Sequence, residues 1–197
     1  MSQVFVSGHK SPDTDSIAAA LSYSYLKRRL GMDAVAVRAG EINKESRFAL
    51  DYFDLEEPIL VTSVARKNPE DEKQKVILVD HNESKQTIDG MDDAEVLEII
   101  DHHRFGDFES ENPIFILVRP VGCVNTVIYG LYKANHIKPS REIAGIMLSA
   151  IISDTVLFRS PTTTEEDKET AKELAEIAGV DLSLIHISEP TRLRRIS

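Results

Sequence analysis

Val76-Ile77-Leu78-Val79 runs straight into Asp80 with no polar residue among the four. A strand with one wet face alternates apolar and polar residues. A strand without alternation needs cover on both faces, which is the habit of parallel sheets. Val96-Leu97-Glu98-Ile99-Ile100 leads into Asp101-His102-His103 in a similar way, and Ile114-Phe115-Ile116-Leu117-Val118 is a third apolar stretch. Shorter strand patterns stand at 3–6, 34–37 and 58–61. Helical periodicity runs from near Asp15 to Leu30, stopped by Gly31, and recurs at 43–53, 125–134, 141–153 and 164–178, the last ahead of Gly179. Strands alternating with helices predict one α/β domain on a mostly parallel, Rossmann-like sheet with helices on both faces.

Such a sheet gives the chemistry a direction. The carboxyl ends of parallel strands lie along one edge, and open α/β sheets bind ligands in the crevice there. The first strand leads into Ser-Gly-His-Lys-Ser-Pro-Asp-Thr-Asp-Ser at 7–16, which offers His9, Asp13 and Asp15; Asp80 and Asp101-His102-His103 end two others. Asp154 follows the apolar helix at 143–152, a place the helix dipole makes unfavourable for an acid unless a cation is near. Either Asp13 or Asp15 could instead cap the helix that opens there, but capping needs only one side chain. Carboxylates mixed with imidazoles suit Mn²⁺, Fe²⁺, Co²⁺ or Zn²⁺ better than Ca²⁺. Two histidines with at least four aspartates suit a pair of ions. Such a pair, about 3.5–4 Å apart, holds a hydroxide and clamps an in-line phosphoryl displacement, so no serine or cysteine nucleophile is required.

The formal charge of −10 argues against a general grip on nucleic acid, which needs a basic face. The single cysteine, Cys123, excludes a disulfide framework and reads as a small buried residue. With no apolar run long enough for a membrane span and no signal-peptide pattern, the expectation is a cytoplasmic protein without a membrane partner.

The order His-x-x-x-Asp-x-Asp at 9–15, Val-Asp-His-Asn-Glu at 79–83, Asp-His-His at 101–103 and Ser-Asp-Thr at 153–155 resembles the DHH phosphoesterase superfamily. Within it the chain is similar to the family II, manganese-dependent inorganic pyrophosphatases, on Pro120-Val121-Gly122 and the stretch Ser-Asp-Thr-Val-Leu-Phe-Arg-Ser-Pro-Thr-Thr-Thr-Glu-Glu-Asp at 153–167. The resemblance covers about residues 1–182. It implies hydrolysis of inorganic pyrophosphate to two orthophosphates by two Mn²⁺ ions, with Co²⁺ as an alternative metal and Mg²⁺ carried on the substrate, in a homodimer. It implies that His9, Asp13, Asp80 and Asp154 hold one ion and Asp15, Asp80, His102 and Asp154 the other. His103 would be the catalytic histidine on the substrate side. Asp101, His81 and Asn82 would stand behind the ligands, while His136 and His186 fall in no motif.

The resemblance also implies a smaller C-terminal domain carrying the basic side chains that grip pyrophosphate. Residues 1–183 are expected to form the DHH catalytic domain, with the C-terminal domain absent and 184–197 a non-native tail. Low turnover is the expectation for such a chain. A DHH-type phosphodiesterase acting on short oligonucleotides or cyclic dinucleotides is the alternative enzyme, and an inactive metal-binding, dimerising fragment is the alternative outside catalysis.

Overall fold

The computed structural model describes residues 3–182, so the expectations for 184–197 and His186 lie outside the described residues. Six strands form in chain order: β1 (Val4–Ser7), β2 (Ala34–Arg38), β3 (Ile59–Leu60), β4 (Lys75–Val79), β5 (Glu95–Asp101) and β6 (Phe115–Val118). All pairings are parallel and the spatial order is β3-β2-β1-β4-β5-β6. Strand order reverses between β1 and β4, the point at which neighbouring loops part and open a crevice. Asp80 directly follows β4, and the loop carrying His9 and Asp13 follows β1.

The α-helices are α1 (Thr14–Arg29), α2 (Lys44–Tyr52), α3 (Val124–Ala134), α4 (Arg141–Asp154) and α5 (Glu165–Ala178). Their starts follow ordinary capping chemistry. Asp13, Asn43 and Ser140 each accept from a backbone amide of the first turn, and Thr164 with Asp167 forms a capping box. Gly179 closes α5 in the left-handed conformation.

The sheet is the parallel α/β arrangement expected, with its α-helices and its 3₁₀ turns divided between the two faces. All five α-helices share one core with Val4, Val6, Ile77, Val79 and Ile100 of the sheet. On the other face Val76, Leu78 and Ile99 pack against Val64, Ile88, Met91, Phe108 and Ile114. Those residues lie in connections that hold only single 3₁₀ turns at 84–86 and 91–93. Crossover handedness accounts for the split. Connections stepping from β1 toward β3 fall on one face and carry α1 and α2, whereas those stepping through β4, β5 and β6 fall on the other and carry no α-helix. An apolar strand is equally well buried beneath loops, so its sequence fixes two-sided cover without fixing the kind of cover.

Candidate metal centre

Asp80 is the meeting point. It is buried and takes a left-handed backbone conformation, φ 64°, which an aspartate tolerates better than most residues. His9 Nε2 lies 3.4 Å from its Oδ2 and His102 Nε2 lies 3.3 Å from its Oδ1. His9 Nε2 also lies 3.7 Å from Asp13 Oδ2, and His102 Nε2 3.6 Å from Asp15 Oδ2 and 3.9 Å from Asp154 Oδ2. Asp80 Oδ1 has no aligned hydrogen-bond donor despite its burial. Two ligand atoms bonded to one cation at ~2.1 Å stand roughly 3.0–3.5 Å apart. The separations here are therefore long for hydrogen bonds and suited to donors converging on an ion. His9, Asp13 and Asp80 form one compact donor group; Asp80 with Asp101, His102 and His103 forms another; Asp15, Cys123 and Asp154 form a third. His9, Asp13, Asp80, His102, His103 and Asp154 open on a cavity of about 440 Å³. A larger cleft, about 1000 Å³, lies by the loop-covered face and contains none of these six.

Each side chain is aimed by its surroundings. Asp13 both caps and faces the cluster: Oδ1 accepts the Ser16 amide at 2.9 Å while Oδ2 is turned to His9. The His9 amide donates to Ser16 Oγ at 2.9 Å, and Gly8 leaves the room, since a Cβ there would stand 1.8 Å from that oxygen. His102 Nδ1 donates to the Val121 carbonyl at 3.0 Å, which leaves Nε2 for the cluster. Asp101 gathers the amides of His102 and His103 and His103 Nδ1 on Oδ1, and Asn82 Nδ2 at 2.5 Å on Oδ2. Asn82 Nδ2 also reaches the Arg104 carbonyl at 3.0 Å, fixing the turn after Asp-His-His. His81 is buried with Nδ1 on the Val79 carbonyl at 2.9 Å, its ring edge-on to His9.

Asp15 shows residues that the sequence motifs do not contain. Its Oδ1 accepts from Cys123 Sγ at 2.9 Å and Asn125 Nδ2 at 2.6 Å, and its Oδ2 from the Val124 amide at 2.8 Å. This is the start of α3, whose free amides and positive end favour a carboxylate. Cys123, read as a buried structural residue, is buried and also donates to a cluster carboxylate. The only local hint was an asparagine beginning an apolar helix. His136 sits exposed after the opposite end of α3, outside the cluster.

The electrostatics are those of an anionic pocket. Burial, then Asp15 and Asp80, pushes the Asp154 carboxyl up to about 11, and burial with Asp15 also raises Asp80. Burial opposes protonation of His9, but Asp13 and Asp80 outweigh it and raise the imidazole to about 10; His102 reaches about 9 because Asp80 and Asp15 outweigh the same opposition. Burial pushes His81 down to about 4. A bound cation is the ordinary means of charging such carboxylates and neutralising such imidazoles together. The orphaned Asp80 oxygen and the mixed oxygen and nitrogen donors fit a divalent transition ion.

Residues 3–151 match the family model described as "DHH family, N-terminal domain". Over 181 residues, 92% of this chain, it is 53% identical to a "Probable manganese-dependent inorganic pyrophosphatase" from Exiguobacterium sp. and 54% identical to one from Bacillus licheniformis. The match takes in 57% of each relative, so the chain spans little more than half the length of these proteins. The fold superposes on a Methanococcus jannaschii protein assigned to the family II inorganic pyrophosphatases with a TM-score of 0.83 at 41% identity, over 94% of this chain and 60% of that one. An exopolyphosphatase-related protein from Bacteroides fragilis shares the fold at a TM-score of 0.68 and 20% identity. With the family model matched over residues 3–151, the chain belongs to the DHH family.

Proposed function

We propose that this domain holds two Mn²⁺ ions and contributes to hydrolysis of inorganic pyrophosphate to two orthophosphates. The observation that carries the reading is Asp80: a buried carboxylate faced by imidazoles from two different loops, with an oxygen no hydrogen bond satisfies. His9, Asp13, Asp80 and Asp154 are the proposed ligands of one ion, and Asp15, Asp80, His102 and Asp154 of the other. Names of relatives support manganese and pyrophosphate; Co²⁺ as an alternative and Mg²⁺ delivered with the substrate remain part of the same proposal. The ions, when bound, supply charge neutralisation for the phosphoryl oxygens and an activated water.

The chain's own residues position and exclude. His103 lies at the cavity with Nδ1 held by Asp101, whose hydrogen bond raises the imidazole's pKa and favours its protonated form. Its Nε2–H is the proposed donor to a substrate phosphate oxygen. Asp101, Asn82 and His81 fix the two loops that carry His102, His103 and Asp80. Arg104 lines the same cavity and brings a positive charge toward an anionic substrate.

Residues 1–183 as the DHH catalytic domain, a homodimer, a cytoplasmic location and no nucleic-acid partner complete the proposal. Among the described residues no helix is long and apolar enough to cross a membrane. Positioning and electrostatics supply most of phosphoryl-transfer catalysis, and the chain spans 57% of the matched relatives, so weak turnover is expected of this stretch by itself. The test is bound-metal content together with phosphate release from pyrophosphate in Mn²⁺ and Mg²⁺. Two equivalents of Mn²⁺ with slow, metal-dependent release support the reading. Failure to bind Mn²⁺ overturns it, and metal without any release at high protein concentration reduces it to a metal-binding domain.

A further inference from the structure

One buried carboxylate in the stretch from Ser153 to Asp167 takes no part in the cluster. Asp167, in the first turn of α5, is fully buried and accepts four hydrogen bonds. Thr126 Oγ1 donates to Oδ1 at 2.6 Å; the Gly122 amide at 2.8 Å and the Thr164 amide and hydroxyl, both at 2.7 Å, donate to Oδ2. A capping box needs only the reciprocal bonds with Thr164. The bonds to Gly122 and Thr126 leave the helix and reach the loop beside the proposed metal centre and the first turn of α3.

Gly122 follows Val121, whose carbonyl holds His102 Nδ1. A Cβ on Gly122 would stand 2.8 Å from Asp167 Oδ2 and 3.0 Å from Thr155 Cγ2, so the bare backbone is wedged between those side chains. Thr155 directly follows Asp154. Its hydroxyl donates to the Ile151 carbonyl at 2.5 Å, and its own carbonyl accepts the Arg159 and Ser160 amides at 2.9 and 2.8 Å. Between them Val156, Leu157 and Phe158 all have positive φ, at 49°, 57° and 63°. Such a run costs energy for L-residues and persists only where its surroundings over-determine it.

We infer that Asp167 is a positioning residue of the metal centre: by fixing Gly122 it holds the carbonyl that aims His102, and through Gly122 it braces Thr155 beside Asp154. The inference rests on the proposed metal reading, and the competing account is that Asp167 only caps α5.

The experiment compares Asp167→Ala, Asp167→Asn and Thr164→Ala by Mn²⁺ titration calorimetry, and by the His9 and His102 ring resonances of the metal-free protein. Loss of supporting groups around a ligand costs about 10–100-fold in metal affinity, so Asp167→Ala should weaken Mn²⁺ binding by at least tenfold and move the His102 resonances more than those of His9. Asp167→Asn keeps an acceptor and should recover most of the affinity, while Thr164→Ala should lower Tm with metal affinity near that of the parent. In a His102→Ala background, Asp167→Ala should weaken Mn²⁺ by less than it does in the parent, keeping only the part exerted through Thr155 and Asp154. Parent-like affinity and unmoved His102 resonances in a folded Asp167→Ala protein overturn the inference, as does an Asp167→Asn protein that loses affinity with its His102 resonances unmoved. So does an undiminished loss in the His102→Ala background, or an equal loss in Thr164→Ala. If the parent chain takes up no Mn²⁺ the metal reading fails, and the metal-free resonances still decide whether Asp167 positions His102.

Discussion

His102 Nε2 and Asp80 Oδ1 face each other at 3.3 Å without an aligned hydrogen bond, although Asp80 is 2% exposed. A buried carboxylate left this way costs stability in the metal-free protein. Asp80→Asn keeps the shape and suits the left-handed backbone, while removing a charge that burial and Asp15 already oppose. The metal-free variant should therefore be more stable by about 1 kcal/mol, or roughly 2–4 °C in Tm. It should lose at least one of two Mn²⁺ equivalents, because the proposed ligand sets share Asp80. Calorimetry with and without Mn²⁺ checks both signs; unchanged stoichiometry and affinity would remove Asp80 from its bridging place.

His103 is more exposed than His102, and its Nδ1 is engaged by Asp101 rather than by the Asp80 pair. His103→Gln should leave Mn²⁺ content intact and lower phosphate release by about 10²-fold or more, the scale of a lost general acid or charge donor. Elemental analysis of the purified variant is the decisive reading, since loss of metal would make His103 a ligand.

The strand-end chemistry was legible because it is local. An apolar run followed by Asp80, or by Asp101-His102-His103, declares both the strand and the edge at which it stops. The support of Asp15 was not, since Cys123 and Asn125 meet it only after the chain has crossed the sheet and returned in α3. Asp167 is similarly hidden, reading locally as an ordinary cap in Thr-Glu-Glu-Asp while its bond to Gly122 is tertiary. The one-sided placement of α-helices was illegible for another reason. Burial of Val76, Leu78 and Ile99 is the same beneath Ile88 and Phe108 as beneath a helix.

Gly145 lies inside α4, where glycine ordinarily costs about 1 kcal/mol relative to alanine. Here the sign should reverse. A Cβ at Gly145 would stand 2.2 Å from Cδ1 and Cε1 of Phe53, whose ring is packed in the main core. Overpacking of this kind costs about 1–3 kcal/mol, which exceeds the propensity gain. Gly145→Ala should lower the urea midpoint, and Phe53→Leu should recover part of the loss; a stabilised Gly145→Ala protein would mean that the ring moves aside freely.

Tyr23 and Lys27 close on Glu98 from α1, with Tyr23 Oη 2.5 Å from Oε2 and Lys27 Nζ 2.6 Å from Oε1. Burial, and then the charge and hydrogen bond of Glu98, raise the Tyr23 phenol far above its usual value. A raised folded-state pKa contributes stability that is complete below the unfolded phenol value of about 10 and lost as pH climbs from there toward the folded value. The chain should therefore lose stability steeply above pH ~10, with Tyr23 resisting ionisation until unfolding. Tyr132 is also raised, mainly by burial, and Tyr129 to about 12, so Tyr23→Phe should flatten this alkaline limb without abolishing it. At neutral pH the same variant should be destabilised by about 1–3 kcal/mol, the worth of a hydrogen bond to a charged acceptor. Urea midpoints between neutrality and the alkaline limb, beside ultraviolet titration of the phenols, measure both effects; a phenol count that titrates fully in the folded state would break the link between Tyr23 and Glu98.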